Sequence, residues 1–264
     1  MDHGTAQAYL DRIGAVRPER PDLPALRHLQ ERHVRAVPFE NLGYHLGEDV
    51  HTDERVLDKI VRRGRGGGCY ETNPAFALLL RALGFTADLV PGRVYRDGVL
   101  GPPLCHLAVR VRLGDERYLV DTGFGRNSLH PLAFDVREEQ QDPHGAYLLV
   151  DAGGGEVDVL LDGRPLYRVD DRPVTSEDLA PTLWWYRTAP ESPFLQEVFC
   201  ALNTDTGRVV IKGNRLTVVH DGEKSTEDLT SAAELLAAYR KWFGFELDRA
   251  PEPPAPGGAG VHLP

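Results

Sequence analysis

At Gly84 the hydrophobic period of this chain changes from that of a helix to that of a strand. Before it, "TAQAYLDRIGA" puts Ala6, Tyr9, Leu10 and Ile13 on one stripe. "LPALRHLQERHVRAV" does the same with Leu26, Leu29, His33 and Val37. "DERVLDKIVRRG" predicts a third amphipathic helix stopped by Gly64, and "CYETNPAFALLLRALG" a fourth from about Cys69 to Leu83. Pro74 falls in the first turns of that helix, where a missing N–H costs least. After Gly84, "HLAVRVRL", "GDE" and "RYLVDTGFG" alternate as a hairpin around Gly114-Asp115. "AYLLVDAGGGEVDVLLDGRPLYRV" supplies two or three more strands, and "SEDLAPTLWWYRTAP" a short helix. "RVVIKGNRLTVVHDG" predicts a strand pair turning at Gly213-Asn214, and "SAAELLAAYRKWFGFEL" a closing helix. This order of helices, strands and mixed elements describes an α+β protein. The Pro/Gly-rich end, "RAPEPPAPGGAGVHLP", is expected to be disordered.

Composition narrows the function. Hydrophobic residues are 41% and charged residues 27% of 264 positions, ordinary for one large globular domain or a few small ones. A formal charge of −10 leaves no basic surplus for neutralising phosphates along a duplex, which argues against nucleic acid as a partner. Cys69, Cys105 and Cys200 form no CxxC pair and no even disulfide set, as suits a reducing cytosol. "DHGTAQAYLDRIG" has no basic or apolar leader, and no run approaches the roughly 18 apolar residues of a bilayer span. A cytoplasmic protein without membrane contact is expected. "GRGGGC" lacks both the glycine–lysine pair of a phosphate loop and the strand–GxGxxG–helix order of a dinucleotide fold. His28 and His33 have no third ligand, so no metal is expected.

The chemistry is concentrated in "RGRGGGCYETNPAF", Arg63 to Phe76. If the helix begins at Cys69, its thiol sits on unsatisfied N–H groups at the positive end of the helix dipole, which favours the thiolate. The preceding glycines are expected to leave the sulfur uncovered. A buried structural cysteine after a flexible loop is the alternative, and the hairpin weighs against it. With its turn centred on Leu113-Gly114, His106 faces Asp121; centred on Gly114-Asp115, it faces Gly123 with Asp121 diagonal to it. Either register brings imidazole and carboxylate onto neighbouring strands. A carboxylate on one ring nitrogen fixes the tautomer and leaves the other free to take a thiol proton. His106 lies in the phase opposite Leu107, Val109 and Val111, so the apolar face is not expected to bury it. Cys69, His106 and Asp121 thus read as nucleophile, base and orienter of a thiol acyl-transfer site.

Three motifs in order then carry a resemblance. Arg65 to Asn73 matches an Arg-Gly-Gly-x-Cys-x-Glu-x-Asn signature, Val37 to Leu42 reads Val-Pro-Phe-Glu-Asn-Leu, and Val120 to Gly125 reads "VDTGFG". From about Tyr9 to Leu247 the chain resembles the arylamine N-acetyltransferases. That resemblance implies Cys69, His106 and Asp121 as a catalytic triad in a cysteine-protease-like arrangement. It implies an N-terminal helical bundle (1–84), a central β-barrel (85–188) and a C-terminal α/β lid (189–250) before the tail (251–264). It also implies an acceptor pocket lined by Phe39, Tyr70, Val94, Phe124 and Phe194. Gly123 and Gly125, in a loop with free N–H groups, are expected to meet the coenzyme's pyrophosphate. Arg65 and Glu71 are expected to buttress the cysteine loop by an ion pair, Cys200 to lie in the core, and Cys105 has no role.

The implied reaction moves an acetyl group from acetyl-CoA, a cosubstrate used without metal, to an arylamine, arylhydrazine or arylhydroxylamine through an acyl-cysteine. Its partners are a small aromatic amine and an acyl thioester. Two departures suit an alternative. Relatives usually carry a bulky residue where this chain has Gly68, and the chain ends soon after "FGFELDRA" without a further terminal helix. A wider cleft fits an amide synthase that closes a polyketide macrolactam from the thioester of an acyl carrier protein.

Overall fold

The computed structural model describes residues 1–252, so the tail expected to be disordered lies, from position 253 onward, outside them. Asp2 and Asp22 open α1 (His3–Ile13) and α2 (Leu23–Ala36) by accepting from the N–H groups of Thr5 and Ala25. Both helices bury the predicted stripes. His33 is a core residue, its Nε2 bonded to the Tyr9 hydroxyl at 2.9 Å. A two-residue strand, β1 (Phe39–Glu40), and a short helix, α3 (Leu42–Leu46), follow. The third predicted helix is shorter than its pattern, its regular part being a π turn at Asp58–Arg62. Gly64, at φ 65°, ends that turn, and Arg65 N–H doubles back to the Lys59 carbonyl at 3.1 Å. Next comes α4 (Cys69–Ala82), which contains Pro74. Among the described residues no helix is long and apolar enough to cross a membrane.

Beyond Gly84 one antiparallel sheet forms. Its strands are β2 (Thr86–Arg96), β3 (Val99–Leu100), β4 (His106–Leu113), β5 (Glu116–Val120), β6 (Leu132–Ala133), β7 (Gln140–Asp142), β8 (Gly145–Gly153), β9 (Glu156–Leu161) and β10 (Arg164–Asp170). They run in the order β6-β5-β4-β2-β10-β9-β8-β7, with β3 beside β2. The two edges meet through Gln140, whose side-chain amide accepts from Ala133 N–H at 2.7 Å and donates to Ala133 O at 3.0 Å. The sheet is therefore a nearly closed barrel. Closure explains why one expectation fails. Leu107, Val109 and Val111 pack into the helical core, while Ala108 faces the barrel interior with Leu119 and Tyr167. His106 shares the phase of Ala108 and is only 1% exposed, because the second face of β4 is an interior too.

The last third combines two packings. A Thr175–Asp178 capping box opens α5 (Ser176–Thr188), which sends Leu179 and Tyr186 back into the helical core. After α6 (Pro193–Gln196) come β11 (Phe199–Asn203), β12 (Gly207–Lys212), β13 (Arg215–His220) and β14 (Glu223–Asp228). They extend β1 into a second antiparallel sheet, β1-β11-β12-β13-β14. On it lies α7 (Ala232–Phe243), with Leu235, Tyr239 and Phe243 against Val209, Ile211 and Leu216. The first strand of this sheet thus comes from the helical third of the chain.

Candidate catalytic site

The glycines before Cys69 serve close packing. A Cβ on Gly66 would lie 1.8 Å from the Pro38 carbonyl oxygen, and one on Gly67 would lie 2.6 Å from Glu71 Cβ. Gly67 N–H donates to Pro38 O at 3.2 Å, and Glu40 N–H to Gly67 O at 3.1 Å. The glycine loop is stitched along the Val37–Leu42 motif, so two of the three sequence motifs are one structure. Cys69 is the first residue of α4, with Gly68 as N-cap. Glu71 accepts from the Gly68 N–H at 3.3 Å, satisfying one donor of the helix start. The expectation of an uncovered sulfur fails, since Cys69 is 4% exposed. The Phe194 ring lies 3.6 Å from where a Gly68 Cβ would stand, an ordinary contact distance, so the ring borders the room that the glycine leaves.

Below the loop lies a buried ion cluster. Arg65 pairs with Glu40 at 3.0 Å and not with Glu71, correcting the expected bridge. Glu71 pairs with Lys59 at 2.8 Å, and Lys59 reaches Glu40 at 3.4 Å. Burial raises the Glu71 pKa above the usual carboxylate range, with Lys59 opposing and Glu40 adding to the rise. For Glu40 burial acts the same way, but Lys59 and Arg65 outweigh it and hold the group at about 2. The π turn is what turns Lys59 inward, a residue that side-chain periodicity alone assigns to solvent.

On the hairpin, Val109 faces Val120 and Leu113 faces Glu116, so the turn is centred on Gly114-Asp115. This ladder stops at Val120, and His106 pairs with Gly92 of β2 on its other side. A Cβ on Gly92 would lie 3.3 Å from His106 Cδ2 and 2.8 Å from Arg168 O, so the missing side chain makes room for the ring. His106 Nε2 meets Asp121 Oδ2 at 2.8 Å. Asp121 Oδ1 accepts from Asn73 Nδ2 at 3.0 Å and from Gly123 N–H at 2.9 Å. Asn73 Oδ1 in turn accepts from the N–H and hydroxyl of Thr122, at 2.9 and 3.0 Å. A Cβ on Gly123 would stand 2.5 Å from Cys69 Cα, so this loop lies directly on the Cys69 backbone.

Burial lowers the His106 pKa, but the Asp121 charge, its hydrogen bond and then Cys69 outweigh burial and push it up to about 10. Burial raises the Asp121 pKa, and His106, Asn73 and Gly123 N–H together hold it below the usual carboxylate value. The arrangement is an imidazole fixed through Nε2 by a carboxylate, with the Cys69 thiol among the groups that raise its pKa. Such a set can move a proton between sulfur and ring.

The remaining predicted residues divide. Phe124 packs edge-on to His106 at 5.2 Å between ring centroids, with Tyr167 against both. Phe194 stacks on Tyr44 at 5.2 Å and meets Tyr186 edge-on. Phe39 stacks on Phe199 and bridges to Gly67. Val94 is half-buried opposite Tyr167, and its N–H donates to Cys105 Sγ at 3.1 Å, the contact the sequence could not assign. Tyr70 is buried, its hydroxyl bonded to the Leu104 carbonyl. Cys200 is in the second core. Of the N–H groups expected to be free, that of Gly123 is taken by Asp121, and that of the intervening Phe124 by Asn127 at 2.9 Å. Gly125 stands beside Phe39 and Arg208.

Sequence reasoning gave no role to Glu40 and Asn41. Asn41 Nδ2 donates to the carbonyls of Phe194 and Glu197 at 2.9 and 2.7 Å, and its Oδ1 accepts from Phe199 N–H at 2.8 Å. It anchors the segment that carries Phe194. The unbroken Val37–Leu42 match was the available signal.

The N-acetyltransferase family matches residues 22–251. An arylamine N-acetyltransferase of Mycolicibacterium smegmatis is 36% identical, over 94% of this chain and 93% of that protein. Among solved structures, an arylamine N-acetyltransferase from Salmonella typhimurium superposes with a TM-score of 0.86 at 26% identity, covering 93% of this chain and 92% of that one. The Mycobacterium marinum arylamine N-acetyltransferase in complex with CoA gives 0.81 at 30% identity, covering 91% and 92%.

Proposed function

Because this chain belongs to the arylamine N-acetyltransferase family, a family of transferases, we propose that it moves acetyl groups from acetyl-CoA to aromatic amines. The acceptors are arylamines, arylhydrazines and arylhydroxylamines. Cys69, His106 and Asp121 act as a triad. The observation that carries this reading is the 2.8 Å bond between His106 and Asp121, beside a Gly123 loop that lies on the Cys69 backbone.

A ring whose pKa is near 10 holds its proton at neutral pH and stabilises a sulfur anion beside it. The Cys69 sulfur attacks the thioester carbonyl, a tetrahedral intermediate forms, and the carbon–sulfur bond to the coenzyme breaks. The departing thiolate takes a proton from His106. Neutral amine then attacks the acetyl-cysteine, His106 accepts the proton the amine loses, and the amide leaves with Cys69 restored. The first N–H groups of α4, at Cys69 and Tyr70, lie at the start of the helix that carries the sulfur and serve the oxyanion.

Macrolactam closure drew on room at Gly68 and on the lack of a further terminal helix, and the Phe194 ring borders the room at Gly68. No observation favours that alternative over acetyl transfer. Steady-state rates with acetyl-CoA and an aryl hydrazine test the reading. Parallel double-reciprocal lines, with thiol release sustained only when both substrates are present, are the expected result. Intersecting lines, or sustained thiol release without the hydrazine, contradict it.

A further inference from the structure

Three arginines line one cleft, and two of them, Arg126 and Arg208, have no ion-pair partner among the described residues. The cleft, of about 500 Å³, opens beyond the Phe124 loop and is lined by Gly125, Arg126, His144, Tyr147, Gly207 and Arg208. Among the described residues no carboxylate lies within ion-pair distance of Arg126 or Arg208. Arg35, which reaches the same cleft, is already paired with Glu31 at 3.2 Å and Asp205 at 3.0 Å. Arg208 is half-buried, and its Nε is sequestered from solvent with no acceptor. Burial, and then the charge of Arg126, hold the Arg208 pKa below its usual value. The carboxylate that lines the cleft, Asp205, is taken by Arg35, and no ion pair joins it to Arg126 or Arg208. Unpaired guanidinium groups held together are costly unless an anion bridges them.

The location says which anion. Phe124 packs on the His106 ring, and Arg126 follows it by two residues, so their Cα atoms are at most about 7.6 Å apart. Between them Gly125, at φ 82°, leaves space that a Cβ would fill 3.0 Å from the Phe39 ring and 3.6 Å from Arg208. The cleft therefore begins one residue from the ring that packs on His106, close enough to the reacting carbonyl for the arm of a thioester donor to reach it. Guanidinium forks match phosphate oxygens in pairs. A local positive field also counters the repulsion between a chain of charge −10 and a polyanionic donor.

We propose that Arg126 and Arg208 form a phosphate subsite that grips the phosphorylated pantetheine arm of the thioester donor. The proposal rests on the acyl-transfer reading for the identity of that donor.

The test compares wild type with Arg126→Gln, Arg208→Gln and the double variant. Each is assayed with acetyl-CoA, S-acetyl-4′-phosphopantetheine and phosphate-free S-acetylpantetheine, and CoA binding is titrated calorimetrically. A charge-assisted contact is worth about 1.5–3 kcal/mol, so each substitution should lower the preference for acetyl-CoA over S-acetylpantetheine roughly ten- to hundredfold. CoA binding should weaken in parallel, and Arg208→Lys should recover part of the loss. A fall that persists with S-acetyl-4′-phosphopantetheine assigns the grip to the arm phosphate; a fall seen only with acetyl-CoA assigns it to the adenosine phosphates. An unchanged preference together with unchanged CoA binding overturns the subsite. If no thioester acylates the protein but CoA binding still depends on both arginines, the acyl-transfer reading fails and the subsite stands.

Discussion

Asn73 donates from Nδ2 to Asp121 Oδ1 at 3.0 Å, and so holds the carboxylate whose other oxygen holds His106. One residue of α4 thereby sets the geometry of a pair on the barrel, one turn after the helix has placed Cys69. The same amide also meets the Leu107 carbonyl and both donors of Thr122. Replacing Asn73 by Ala should strand several buried polar groups at about 1–3 kcal/mol each. A lowered denaturation midpoint is expected, with kcat/KM for acetyl-CoA and an aryl hydrazine at least about tenfold down. Chemical denaturation and initial rates check both.

Stability should depend on pH through the same pair. The folded His106 pKa of about 10 lies above its ordinary 6.5, so its contribution is complete below about pH 6.5 and is lost as pH rises towards 10. Asp121, held below its ordinary 3.8, contributes above that value and loses its contribution as pH falls through the folded pKa. The stability difference between wild type and Asp121→Asn should therefore be greatest near pH 5–6.5 and shrink towards pH 10. Urea denaturation at pH 6, 8 and 10 measures that slope. A difference that grows with pH contradicts the pairing.

Two glycines beside Cys69 should respond oppositely to a methyl group. Gly68, at φ −76°, would place it in ordinary contact 3.6 Å from the Phe194 ring, so Gly68→Ala should fold and turn over. Gly123 would drive it to 2.5 Å from Cys69 Cα, so Gly123→Ala should displace Cys69 and abolish acylation. Thermal melts and acylation rates of the two variants distinguish these outcomes.

The buried cluster predicts a large effect and a small one. Lys59→Met leaves Glu40 and Glu71 facing each other in the core, at a cost of about 3–5 kcal/mol. Arg215→Ala breaks only the solvent-exposed pair with Asp228 and should leave the denaturation midpoint unmoved. Urea titrations of both variants provide the comparison.

Much of this was legible in the residues because local signals agreed with the fold. The stripes of α1 and α2, the start of α4 at Cys69 and the Gly114-Asp115 turn follow from period, dipole position and turn chemistry. The long central strand β2 did not, because Pro91 and Gly92 interrupt any alternation; yet Gly92 is what admits the His106 ring. Barrel closure was equally invisible to periodicity, which cannot tell a strand's wet face from a second interior, and so the burial of His106 was missed. The partner of Arg65 was misassigned for a similar reason. Lys59 turns inward on a π turn that no residue pattern announces, and Glu40 reaches Arg65 from 25 positions away.

The most direct measurement is the mass of the protein after brief exposure to acetyl-CoA alone, quenched in acid and mapped by peptide. One acetyl group on the peptide containing Cys69, absent from Cys69→Ala and released on adding an aryl hydrazine, is the predicted result. An acetyl group carried unchanged by Cys69→Ala, or acetyl transfer by that variant at the wild-type rate, would contradict it.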